Sequence, residues 1–170
     1  MRGLGVLGLA LLAGCARAVT VEGTTVSARQ VAYAFGPIPA AWERVRVPDD
    51  DAAWLDPPHG AVVHVDHTCE RSQDAPLQAL VQHLLIGFTD RHMVTEEDLP
   101  LDGRTARHVV VRARLDGVAR MLEFFVLKKD GCVFDLGYAA PPERFEDGRG
   151  AFQAFVRGFR TTRTPLSDAR

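Results

Sequence analysis

After Leu12 the chain has no apolar run approaching the ~20 residues that a membrane-spanning helix needs. That excludes a helical membrane protein, though not a protein held at a membrane by other means. It also lacks any block of like charge, and no basic stripe alternates with aromatic residues. With 20 basic and 22 acidic side chains in balance, nucleic acid is not an expected partner. The serines Ser27, Ser72 and Ser167 lie in polar or terminal stretches, none in a Gly-x-Ser-x-Gly elbow. Gly148 and Gly150 lack the Lys-Ser/Thr that completes a phosphate loop. There is no internal repeat and no low-complexity tract. No cofactor is therefore expected, and 170 residues suffice for one domain with a real core.

What is present begins at the N-terminus, with MRGLGVLGLALLAGC. Arg2 precedes an apolar run from Leu4 to Ala13 and then Gly14-Cys15, the order of a secretory signal. The segment Leu12-Ala13-Gly14-Cys15 resembles the lipobox of bacterial lipoproteins. The resemblance implies that residues 1–14 are removed and that Cys15 is lipidated, becoming the first residue of the mature protein. Each buried acyl methylene contributes ~0.8 kcal/mol, so two or three chains (palmitate among them) hold a protein at the membrane durably. Loss of residues 1–14 removes one charged residue, Arg2, and turns the formal charge of −2 into −3.

Two other cysteines remain, Cys69 and Cys132. In an oxidising compartment an even pair reads as a possible disulfide, although two separate buried thiols fit the sequence equally. The mature region then divides into 15–28, a lipidated N-terminus and tether or edge strand, a single domain over 29–162, and a polar tail over 163–170.

Within that domain, short strands are expected over 29–35, 42–47 and 52–55, and a longer one over 60–69. The alternation of the last puts Val63, Val65 and His67 on one face and Val62, His64 and Asp66 on the other. Leu77, Leu80, Val81, Leu84, Leu85 and Phe88 recur at helical spacing, with Asp74 as N-cap and Pro76 in the first turn. Residues 93–99 look extended. A meander follows, turning at Asp116-Gly117 and again at Asp130-Gly131, since Asp-Gly readily adopts the positive φ of a tight hairpin. The first turn sets Val109 opposite Phe124, His108 opposite Phe125 and Glu123 opposite Val110, while the second sets Phe125 opposite Leu136. Both faces of this sheet are apolar, so both must be covered. The first helix supplies one cover. A second, carrying Phe152, Phe155, Val156 and Phe159 and starting near Gly148 and Gly150, supplies the other.

This order of elements, with Trp42 near the first strand, Phe134-Asp135-Leu136-Gly137-Tyr138 in the last and a final Phe-x-x-Phe-Val-x-x-Phe over 152–159, resembles the PsbP-like α/β/α sandwich group. That group includes photosystem extrinsic proteins, Mog-type proteins and bacterial lipoproteins of the DcrB kind. The resemblance covers roughly 30–160 and implies an α+β fold, an antiparallel sheet with helices packed on both faces. It supplies no common catalytic residues, and it implies a binding or assembly role.

The densest polar stretch is His64-Val65-Asp66-His67-Thr68-Cys69-Glu70. Strand alternation splits His64 from His67, leaving too few ligands per face for a metal unless distant residues join them. A Cys69–His67 nucleophile would need a free thiol. Arg107, Arg112, Arg114 and Arg120 read as a solvated rim, and Glu123 as a partner for Arg112. The expectation is a non-enzymatic, lipid-anchored envelope protein, in the outer membrane facing the periplasm, that binds an envelope protein or an apolar ligand. The alternative is a small periplasmic metal-binding protein or enzyme built on the His64–Glu70 cluster.

Overall fold

A computed structural model describes residues 19–28, 31–48, 50–70 and 75–162. The signal segment, Cys15, Asp74 and the 163–170 tail lie outside the described residues. Among the described residues eleven strands and two α-helices follow in the order β1 Thr20–Glu22, β2 Thr25–Ser27, β3 Ala32–Ala34, β4 Glu43–Val45, β5 Ala52–Asp56, β6 Ala61–Thr68, α1 Leu77–Leu84, β7 Phe88–Leu101, β8 Arg104–Leu115, β9 Val118–Lys129, β10 Cys132–Ala140, α2 Phe145–Arg157 and β11 Arg160–Thr161. The main sheet has seven antiparallel strands in the order β4-β5-β6-β10-β9-β8-β7. A small sheet runs β1-β2-β3-β11.

The meander pairs as the turns dictate. Val109 lies opposite Phe124, His108 opposite Phe125, Val110 opposite Glu123, and Phe125 opposite Leu136. Asp116-Gly117 and Asp130-Gly131 all have positive φ. A third Asp-Gly turn, Asp102-Gly103, with φ of 48° and 72°, joins β7 to β8 and makes the meander four strands long. β7 therefore extends well beyond 93–99. As the sheet edge it is blunted by register shifts between Thr89 and His92 and between Met93 and Thr95, and by Pro100, features that discourage pairing with another chain.

Each face of the sheet has its own core. On one, Leu80, Val81 and Leu85 pack on Val109, Val111, Leu122, Phe124 and Val126. The helix ends at Leu84 rather than Phe88, because Gly87 takes φ 89° and swings Phe88 into β7. On the other face α2 and the small sheet together cover a larger, aromatic core. Phe35 stacks on Phe155 at 4.3 Å, Trp42 and Trp54 close around Phe155, and Tyr138 stacks on Phe152 at 5.4 Å. The helix starts at Phe145, so Gly148 lies inside it rather than at its start. A Cβ at 148 would collide with the Tyr138 hydroxyl, so this glycine lets α2 sit close on the sheet. Val26 of β2 is fully buried in the same core, so the folded unit includes residues upstream of 29.

Cys69 and Cys132 form a disulfide that joins the ends of β6 and β10 across 63 residues of sequence. In the chain-entropy model such a crosslink stabilises by roughly 4 kcal/mol. Replacing both cysteines by serine should lower the urea-unfolding free energy by about that amount. A loss below about 1 kcal/mol would show that the crosslink closes no loop that matters to folding.

Candidate functional site

Glu123 sits in the middle of β9 with no exposed surface, facing α2 from the floor of the aromatic core. A carboxylate in such a place must be neutralised by charge and hydrogen bonds. Its Oε1 accepts hydrogen bonds from His108 Nε2 at 2.8 Å, Arg149 Nη2 at 3.2 Å and Gln153 Nε2 at 3.3 Å, and its Oε2 from Arg149 Nε at 3.0 Å. His108 belongs to the neighbouring strand, and Arg149 and Gln153 lie one turn apart on α2. The expected Glu123–Arg112 pair does not form. Arg112 is exposed on β8, two residues along from the Val110 that lies opposite Glu123, and its own partner across the ladder is Met121.

Burial alone pushes the Glu123 carboxyl up, but the bonds from His108 and Arg149 outweigh it and hold the group below its ordinary value. Burial likewise pulls His108 down, and its hydrogen bonds to Glu123 and Glu97 carry it above its ordinary value. Its Nδ1 is 2.9 Å from Glu97 Oε1, so both ring nitrogens meet carboxylates and both donate when the ring is an imidazolium. The ring stacks on Phe125 at 4.3 Å.

Above this network lies a cleft of about 360 Å³ between α2 and the β7–β9 strands. Leu99, Leu101, Phe125 and Val156 give it apolar walls, and Glu97, His108, Arg149, Gln153 and Arg157 give it polar ones. Small-molecule and peptide sites commonly combine these features. The signal in the sequence was the placing of Arg149 and Gln153 beside Phe145, Phe152 and Val156 on one helical stripe, which brings a cation onto a buried face.

His64 and His67 are divided as strand alternation requires, but the carboxylate of Asp66, expected beside His64, approaches His67 instead. His64 faces the α1 side, 3.6 Å from Asp50, in the neighbourhood of Asp135. His67 faces the other side, where its Nδ1 and the Tyr33 hydroxyl both bond Asp51 Oδ2. Ligand atoms of Asp51, Asp66 and His67 lie within 4.8 Å of one another, so His67 gains acidic neighbours while His64 does not join it. Cys69 is bound in the disulfide, which removes the thiol a Cys–His nucleophile requires. Arg107 pairs with Glu96 at 2.7 Å and Asp98 at 2.9 Å on the rim of the sheet.

No family model matches the chain, and no curated protein matches it in sequence. Solved structures do. LpqN of Mycobacterium tuberculosis, a protein involved in cell envelope biogenesis, superposes with a TM-score of 0.57 at 14% identity, covering 78% of this chain and 86% of that one. Cyanobacterial PsbP from Synechocystis sp. PCC 6803 superposes with a TM-score of 0.54 at 14% identity, covering 91% and 98%. The fold is PsbP-like. The PsbP-like landmarks Trp42, Tyr138, Phe152 and Phe155 all meet in the core beneath α2.

Asp135 offers a test of the electrostatics on the opposite face. Desolvation pushes its carboxyl up to about 6, with His64 opposing the rise and Asp50 and Asp51 adding to it. A raised carboxyl value means that folding disfavours the ionised form, so this group costs stability above its ordinary value and most of all above about 6. Asp135→Asn should therefore raise the melting temperature at pH 8, with a smaller gain at pH 4, where the wild-type carboxyl is largely protonated. An equal shift at both pH values would show that ionisation is not the cause.

Proposed function

We propose that this is a lipid-anchored protein of the bacterial cell envelope whose α2–sheet cleft binds an envelope protein or an apolar ligand, without catalysis. The observation that carries the reading is the chemistry of the cleft floor. Glu123, the acid best placed to act as a base, has its oxygens engaged by His108, Arg149 and Gln153. A carboxylate held this way is a poor proton acceptor, whereas the apolar walls beside it favour burial of a partner's surface. The fold shared with LpqN, a protein involved in cell envelope biogenesis, agrees with that location.

The anchor is Cys15, by the lipobox Leu12-Ala13-Gly14-Cys15. Ala16 follows it, not the aspartate that retains many enterobacterial lipoproteins at the inner membrane, and by that resemblance the protein goes to the outer membrane, facing the periplasm. The second reading is a small periplasmic metal-binding protein. It is favoured by the approach of Asp51, Asp66 and His67, a mixed oxygen and nitrogen donor set that suits a divalent metal.

Cys15→Ser should release the protein into the soluble fraction when membranes are washed at high salt, which screens contacts made by surface charges alone. Retention at high salt would contradict the lipid anchor. In the same preparation, metal analysis separates the two readings: stoichiometric metal that is lost on His67→Ala would replace the binding-only account with the second.

A further inference from the structure

The N-terminal strands enter at one end of the main sheet, where Val19 borders the Asp50–Ala53 segment. At the opposite end, where α1 passes into β7 and β8 turns into β9, the molecule carries an apolar tip. Ile86 is 72% exposed, Val118 51% and Leu115 41%. The ladder holds them together, since Leu115 pairs with both Phe88 and Val118, and Ile86 lies two residues before Phe88.

Arginines surround this tip although the chain as a whole is acidic. Arg91 bonds the Phe88 carbonyl and Gln82, neither of which cancels its charge. Arg112 and Arg120 have no carboxylate partner among the described residues. Arg114 lies 3.3 Å from Asp90, but both are more than half exposed, so water screens the pair. Asp116, in the turn, is the other nearby acid.

We propose that this tip is a second membrane contact, in which Ile86, Leu115 and Val118 enter the apolar boundary of an anionic bilayer while the arginines meet lipid phosphates. Guanidinium groups suit phosphate oxygens, and apolar side chains ringed by cations are the usual make-up of an interfacial contact. A bilayer is favoured over a protein because a stable protein interface buries about 800 Å² on each partner, more than three side chains can supply. The twelve residues of β8 separate the tip from the N-terminal end by roughly 36 Å at ~3.3 Å per residue. Residues 15–18 can reach at most about 14 Å. If Cys15 is lipidated, as proposed above, both contacts are met on one membrane when the sheet lies along it.

The test uses the chain from Ala16 onward, which carries no acyl group and retains every strand and helix described. Its result is therefore independent of whether Cys15 is an anchor. Sedimentation with vesicles of phosphatidylcholine alone, and of phosphatidylcholine mixed with phosphatidylglycerol, is compared for three proteins. The wild type should bind the mixed vesicles and not the neutral ones. An Ile86→Asp/Val118→Asp variant and an Arg112→Glu/Arg120→Glu variant should each lose roughly tenfold in partitioning, with unchanged melting because the altered side chains are not part of either core. Absence of wild-type binding to the mixed vesicles, or binding that both variants keep, would overturn the proposal. So would self-association of the wild type without vesicle binding, if the same variants abolish it, since that would assign the tip to a second copy of the chain.

Discussion

A seven-stranded sheet that is apolar on both sides cannot stand alone, and the rest of this molecule is arranged around that constraint. α1 closes one face with leucines and a valine, while α2 and a small sheet close the other with aromatic rings. Burial at about 25 cal/mol per Å² of apolar surface drives both layers onto the sheet. The disulfide between Cys69 and Cys132 then fixes the ends of two central strands, limiting the conformations of the unfolded chain more than it adds contacts to the folded one.

Hydrophobic burial does not by itself choose where α2 sits. The charge network does, because Glu123 must find its donors. Arg149 and Gln153 reach it only when α2 lies across β9 in one register, and His108 completes the set from β8. A buried ion network adds little net stability over apolar packing, but a displaced helix would leave the acid unpaired at a cost of several kcal/mol. The same positioning leaves the β7 side of the sheet open beyond α2. The cleft is thus a consequence of how the helix is held.

Much of this was legible in the residues. The Asp-Gly turns gave the strand register of the meander, because a two-residue turn leaves no freedom in pairing. Asp102-Gly103 carries the same signal, but the charged and proline-containing residues Glu96 to Pro100 before it mask the alternation of an edge strand. The end of α1 is hidden in the sequence because Leu85 and Phe88 continue the helical spacing past Leu84, although the backbone turns at Gly87. The ladder alone points Glu123 toward Arg112, along the sheet. Its real partners came from the helix above and from a histidine on the adjacent strand, a meeting that depends on the tertiary arrangement and not on local sequence.

Urea unfolding of Glu123→Gln near pH 6 tests the central claim most directly. The change preserves shape, removes the charge that Arg149 and His108 share, and replaces one acceptor oxygen by an NH2 donor. If the network holds α2 in place, the variant should lose about 3 kcal/mol, as expected when a buried ion pair loses one partner. A change within about 0.5 kcal/mol, the range of ordinary surface substitutions, would contradict it and leave aromatic packing alone to position the helix.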